Sequence, residues 1–192
     1  MAFQLGTDGY FIRDGKRFIP VGVNYWPASA GVELWPHWPA HEIRHDLDVI
    51  RSLGLNTVRF FLRWQDFEPR PGEYDPLMLG RLRNMLEWCR NAGVVAHPSL
   101  VVGFMSGGVF WPQWRQGRNA FADPFMVQRA AEFAAAVSRI IAPFHDNVLA
   151  IDQGNELCCL ADSSDAPPAA VIEWCRIFNE GIRSTYPDAL IL

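Results

Sequence analysis

An α/β fold built on a parallel sheet is predicted by three observations. Short runs that are apolar nearly throughout alternate with segments of 3.6-residue periodicity. The apolar runs lack the in-out alternation of a half-solvated strand, so both faces must be covered, as in a sheet flanked by helices. The longest inserts, at 61–74, 101–122 and 157–167, all follow strand-like runs rather than helix-like ones.

Taken in order, the chain opens with a hairpin. Tyr10-Phe11-Ile12-Arg13 and Lys16-Arg17-Phe18-Ile19 flank Asp14-Gly15, a dipeptide suited to the positive φ angles of a type I′ turn. Strand-like runs follow at Val21-Gly22-Val23-Asn24-Tyr25, Leu55-Asn56-Thr57-Val58-Arg59-Phe60, Val94-Val95-Ala96-His97 and 148–152, and a fifth begins at Ala189. Four helices lie between them. The first presents Ile43, Leu47, Ile50 and Leu53 on one face and stops at Gly54, which suits the position just past a helix. The second starts at Asp75-Pro76, an N-cap followed by proline in the first helical position. It buries Met78, Leu82, Met85 and Cys89 before Gly93. The third repeats that start at Asp123-Pro124 and carries Ala130, Phe133, Val137 and Ile140. The fourth follows Pro167-Pro168 with Val171, Cys175, Phe178 and Ile182. Asp46 and Asp48 fall on what reads as a solvated face of the first helix.

A doubly wound sheet satisfies the same alternation, but no G-x-G-x-x-G or Walker-type glycine loop follows any strand. Inserts at the carboxyl ends of strands are where (β/α) barrel enzymes keep their chemistry, so a barrel is preferred. Residues 1–192 are read as one domain, with 1–19 the hairpin and 20–192 four βα units plus the start of strand five. With 49% hydrophobic residues the chain can bury a core. A net charge of −4 without a Lys/Arg run argues against nucleic acid or an acidic membrane as partner. Cys89, Cys158, Cys159 and Cys175 match no zinc spacing and read as free thiols, and neither metal nor cofactor is expected. The first residues lack a basic segment and an apolar h-region, and no stretch approaches membrane-spanning length. The expected location is cytoplasmic for the chain as it stands, or extracellular if a leader has been removed.

The chemistry concentrates at Asp152-Gln153-Gly154-Asn155-Glu156, which closes an apolar run with an amide and a carboxylate. A carboxylate at the end of a core strand is costly unless it has a task, because burial disfavours the ionised form. Shielded by aromatic walls, Glu156 can have its pKa raised until it serves as a general acid/base on a glycosidic oxygen. Asn155 offers an amide to a sugar hydroxyl, on the pattern of the 2-OH contact that strengthens in the transition state. An N-cap or loop salt bridge is the other reading of the pair. Arg59, read as pointing inward with Thr57 and Leu55, needs a carboxylate partner, either Glu156 or another acid around the barrel. It reads as a site residue or as half of a structural ion pair. His97 is a sugar contact or a satisfied core histidine. Trp26, Trp64 and Trp111 fall in loops or at strand ends and are candidate walls for sugar rings, with loop packing as the other reading of each. Met105-Ser106-Gly107-Gly108 supplies turns in the third long loop.

The run Arg44-His45-Asp46-Leu47-Asp48-Val49-Ile50-Arg51-Ser52-Leu53-Gly54-Leu55-Asn56-Thr57-Val58-Arg59-Phe60 resembles the first helix and second strand of clan A glycoside hydrolases. Gly22-Val23-Asn24-Tyr25-Trp26-Pro27, Pro69-Arg70-Pro71-Gly72-Glu73-Tyr74-Asp75 and the Gly154-Asn155-Glu156 ending resemble the same clan. The likeness is nearest to glycosidase family 5, the cellulase and β-mannanase family, and extends over nearly the whole chain. It implies a retaining (β/α)₈ glycosidase in which Glu156 is the acid/base, Arg59 orients the nucleophile, and the nucleophile is a glutamate at the end of strand seven.

The chain holds no strand seven. A (β/α)₈ barrel typically takes about 250 residues, and here only its first half is expected. Retention needs a second carboxylate about 5–5.5 Å from the first. Glu33, Asp66, Glu68 and Glu73 lie in the right loops but not on strand ends. The chain alone is therefore expected to be inactive, with the nucleophile encoded roughly 80–150 residues beyond Leu192, three βα units further on. The favoured substrate is a β-1,4-linked oligo- or polysaccharide such as mannan or cellulose. A non-catalytic carbohydrate-binding half-barrel, self-associating through its open edges, is the alternative.

Overall fold

The computed structural model describes residues 2–192. In chain order its elements are β1 (Gln4–Leu5), β2 (Phe11–Arg13), β3 (Lys16–Phe18), β4 (Gly22–Asn24), α1 (Leu34–His37), α2 (Ala40–Ser52), β5 (Thr57–Phe61) and α3 (Trp64–Phe67). There follow α4 (Pro76–Ala92), β6 (Val95–Val102), β7 (Phe104–Met105), β8 (Gly108–Val109), α5 (Pro124–Ile141), β9 (Asp152–Asn155), α6 (Ala161–Asp165) and α7 (Pro168–Thr185). The parallel sheet has the order β4-β5-β6-β9, so spatial order equals chain order. A parallel bridge from Ile151 to Ile191 marks the place of a fifth strand. This is a partial (β/α)₈ barrel with α2, α4, α5 and α7 on its outer side.

The helices form where caps and apolar stripes agree. Asp75 accepts hydrogen bonds from the Leu77 and Met78 amides, and Asp123 from those of Phe125 and Met126. Each cap satisfies donors that the first helical turn leaves unpaired, worth about 0.5–2 kcal/mol. In α2 the buried residues are Ile43, Leu47 and Ile50. Leu53, expected on that stripe, lies past the helix end and is 70% exposed, because the chain turns at Gly54 before the stripe continues. Asp46 is not merely solvated: its carboxylate accepts the Tyr25 hydroxyl at 2.8 Å and ties α2 to the end of β4.

Two strands depart from expectation. β6 does not stop near His97 but runs through Pro98 to Val102. A proline removes one ladder donor only, and pairing resumes where the Leu62 amide donates to the Ser99 carbonyl and the Val102 amide to the Leu62 carbonyl. The apolar run 148–151 supplies only bridges, and the regular strand is the polar Asp152–Asn155 segment itself. Its register, Ser99 with Asp152 and Val101 with Gly154, lifts these polar side chains above the apolar core.

The hairpin turns at Asp14 and Gly15 with φ of 52° and 74°, and β1 adds a third antiparallel strand that is two residues long. Phe3, Phe11 and Phe18 pack on Val95, Leu149 and Leu190, so this small sheet closes the amino-terminal floor of the barrel. β4, by contrast, is exposed along its whole length, an open sheet edge. Among the described residues, no helix is long and apolar enough to cross a membrane.

Candidate active site

The inward side chains of the four parallel strands build one polar cluster around Arg59. Its Nε donates to Asp152 Oδ2 at 3.0 Å, and Nη2 reaches the same oxygen. Nη1 donates to Asn155 Oδ1 at 3.0 Å, with contacts of 3.4 Å from Nη1 to Asn24 Oδ1 and from Nη2 to Ser99 Oγ. The guanidinium also lies over the Phe61 ring, 4.6 Å from its centre. Pairing within the sheet accounts for most of this convergence: Asn24, Arg59 and His97 sit at one level of β4, β5 and β6, and Ser99, two residues beyond His97 on the same face, stands opposite Asp152; Asn155, three residues beyond Asp152, does not follow from that alternation.

Arg59 is thus paired, not with Glu156 but with another acid of the barrel, the second of the two partners the sequence left open. The acid that compensates it is Asp152, which also accepts the Gly154 amide through Oδ1 at 3.1 Å. Alternation of side chains along the last strand is the signal that could have picked out Asp152; the apolar run before it drew the strand boundary too early.

Asn155 is buried and its amide orientation is fixed at both ends. Arg59 can only donate and the Phe104 carbonyl can only accept, so Oδ1 faces Arg59 and Nδ2 donates to Phe104 at 2.8 Å. One N–H remains for a ligand. Gly154 is required beneath it, because a Cβ there would stand 2.5 Å from the Val101 carbonyl oxygen. Glu156 follows with left-handed backbone angles, φ 50° and ψ 38°. A non-glycine residue adopts these at some cost, a mark of constraint at functional positions. The turn carries Glu156 out of the strand, so its side chain is exposed rather than shielded by aromatic walls. Among the described residues no side chain hydrogen-bonds or ion-pairs its carboxylate.

His97 is partly buried at the level of Arg59, with Nε2 enclosed and unpartnered. Burial holds its pKa below the usual histidine value, Asp152 opposing and Arg59 adding to the shift. A hollow of about 270 Å³ on this inner side is lined by Asn24, Thr57, Arg59 and His97, with Pro20, Gly22 and Val23.

The tryptophans divide. Trp26 is partly exposed and stacks on Phe61 at 5.3 Å, and Trp111 is partly exposed over the Trp64 and Phe121 edges. Both keep an indole N–H without a partner. Trp64 is fully buried, stacked on Phe133, and donates to Glu68 Oε2 at 2.6 Å. It is core and does not form a sugar wall, because α3 turns it under the loop instead of into the cleft.

The four loop carboxylates are all engaged. Arg63 holds Glu33 and Asp66; Arg129 holds Glu68; Arg70 holds Glu73. The Arg63 hydrogen bonds pull the Glu33 carboxyl down, whereas burial pushes those of Asp66 and Glu68 up. Among the described residues, no group of three or more His, Cys, Asp or Glu side chains could hold a metal ion.

No family model matches the chain. An exo-β-1,4-mannosidase from Opitutaceae bacterium strain TAV5 is 53% identical, with a TM-score of 0.96 over 98% of this chain and 34% of that one. GH5_18 from Streptomyces cattleya, solved in complex with GlcNAc, is 26% identical, with a TM-score of 0.84 over 89% of this chain and 43% of that one. Among curated proteins, β-galactosidase A of Aspergillus oryzae is 31% identical over 130 residues, 61% of this chain and 13% of that protein. The chain therefore spans about a third to two fifths of the solved structures it matches, and a smaller share of the curated relatives.

Proposed function

Because this chain carries the N-terminal portion of a clan A glycoside hydrolase barrel of the family 5 type, we propose that it supplies the acid/base half of a retaining β-glycosidase. The bond cleaved is the β-1,4 linkage of a mannoside, and Glu156 protonates the leaving oxygen and then activates water. Asn155 donates its free N–H to a hydroxyl of the sugar ring, Arg59 fixes that amide, and Trp26, Trp111 and His97 border the cleft. The nucleophile is a glutamate on a later strand outside this chain.

The single observation that carries this reading is the Asp152-Arg59-Asn155 chain beneath an unpaired Glu156 at the carboxyl end of a barrel strand. Two further points support it. The 53% identity to an exo-β-1,4-mannosidase favours mannoside over cellulose. The commitment of Glu33, Asp66, Glu68 and Glu73 to arginines speaks against these four acids as the nucleophile.

The test uses the complete gene product, a β-1,4-mannobioside, and the Glu156→Ala variant. The variant is expected to lose mannobioside hydrolysis by about 10²–10⁴-fold. It should retain glycosylation by an aryl mannoside whose leaving group needs no proton. Azide should then restore turnover and yield β-mannosyl azide, since that anion attacks the glycosyl-enzyme without a base. Undiminished mannobioside hydrolysis by Glu156→Ala would rule the assignment out.

The exposed β4 edge favours a second reading. Ile19, Val21 and Val23 are 62%, 51% and 37% exposed beside unpaired strand groups, a surface suited to pairing with another chain. A non-catalytic, self-associated half-barrel predicts a stable dimer of the purified chain that binds mannan without cleaving it. Sedimentation of the chain as a monomer excludes it.

A further inference from the structure

We propose that Asp152 is a positioning residue that keeps the Arg59 guanidinium on the inner face of the sheet, so that Arg59 orients Asn155 and leaves the Glu156 carboxyl without a cation. The inference rests on the acid/base reading of Glu156 and assigns a role to a residue outside that reading. Three observations carry it. Arg59 directs Nε and Nη2 to one carboxylate oxygen of Asp152 and has Nη1 left for Asn155. Asp152 is itself braced by the Gly154 amide, one residue before Asn155. Glu156, the next carboxylate along the chain, is exposed and unpaired although it lies one residue from a partner of Arg59.

Charge accounts for the consequence. A guanidinium released from Asp152 would have Glu156 as the other carboxylate of the segment 152–156, itself uncommitted to any cation among the described residues. Pairing there would favour the ionised form of Glu156 by about 1–3 pH units, and a general acid must hold its proton until the leaving oxygen takes it. Asp152 thus serves the acid by occupying its strongest competitor. The other charged or titratable groups around the cluster are His97 on β6 and the Cys158 and Cys159 thiols on the turn after Glu156; the facing positions Asn24 of β4 and Ser99 of β6 are neutral.

The experiment measures the pH dependence of kcat/KM for a β-1,4-mannobioside, whose leaving oxygen needs the proton, on the complete enzyme. The alkaline limb is first assigned to Glu156 by its absence from the residual hydrolysis by Glu156→Ala. If the limb persists in that variant, the acid/base reading itself fails, and this inference with it. With the assignment made, Asp152→Asn is expected to move the limb down by about one pH unit or more, and Asp152→Glu to bring it most of the way back. A limb unmoved in a folded Asp152→Asn enzyme overturns the proposal while the reading of Glu156 stands. Should Asp152→Asn fail to fold, Arg59→Gln is compared with the double variant Arg59→Gln/Asp152→Asn. Without the cation only the direct charge of residue 152 is left to act on Glu156, so limbs that separate by well under about one pH unit support the proposal and a separation of about one unit or more overturns it.

Discussion

Glu68 offers the sharpest test of how the loops at the carboxyl face are held. It is 0% exposed. Oε1 accepts from Arg129 Nε at 2.8 Å, from Arg129 Nη2 and from the Gly72 amide at 2.7 Å, while Oε2 accepts from the Trp64 indole. Glu68→Gln preserves shape but fails twice. The amide can serve as acceptor at only one of its two ends, so either the indole or the three donors at Oε1 meet an NH₂ group. In addition, Arg129, 8% exposed, keeps only the solvent-facing Glu132 as counter-charge. Breaking one side of a buried pair costs about 3–5 kcal/mol, which for a protein of this size lowers Tm by about 6–20 °C. Circular-dichroism melts of the purified protein would measure it. Replacing both partners, as Glu68→Leu/Arg129→Met, should cost far less than the single change, because no unpaired charge stays behind. A single-variant loss below about 2 °C, or a double variant no better than the single, would refute the reasoning.

The remaining predictions concern the site and its supports. His97 has a folded-state pKa below 6.5 through burial; the unfolded chain then binds more protons in that range, so the contribution of His97 to stability is whole above about pH 6.5 and shrinks as pH falls. Melts of His97→Gln between pH 7.5 and 5 should accordingly show a flatter acid side than the parent, and equal slopes would contradict the burial. Gly154→Ala drives a methyl against the Val101 carbonyl at 2.5 Å and should cost about 1–3 kcal/mol in urea unfolding; a neutral result would mean that the β6–β9 contact is looser than described. Trp64→Phe leaves Glu68 Oε2 without its indole donor and should cost about 1–3 kcal/mol, with no change in mannoside KM, whereas Trp111→Ala should raise KM and leave Tm within a few degrees.

What the sequence revealed and what it hid follow from the range of the interactions involved. Asp14-Gly15, Asp75-Pro76 and Asp123-Pro124 act on neighbours within four residues, and the hairpin and both helix starts stand where those residues place them. The partner of Arg59 was not legible, because it lies 93 residues away and depends on sheet register. Asp152 sits opposite Ser99 only once β6 has continued past Pro98. Trp64 was misplaced for a related reason: α3 is four residues long, too short for periodicity to show which way it faces. The left-handed turn at Glu156 has no local signature either, since neither glycine nor asparagine occupies it.

The order β4-β5-β6-β9 bears on how the chain is made. No strand of this sheet waits for a partner encoded after a later strand: each newly completed one pairs with the strand synthesised just before it. β5 begins at Thr57 and β6 at Val95, 38 residues apart, a gap of about 2–8 seconds at ribosomal speed. Hairpins and helices form in microseconds, so β4 and β5 can settle long before β6 emerges. Sheet growth then proceeds from the amino-terminal side, with one edge advancing while the β4 edge stays open, and the three-stranded floor gains its apolar partners Val95, Leu149 and Leu190 only as the later strands arrive.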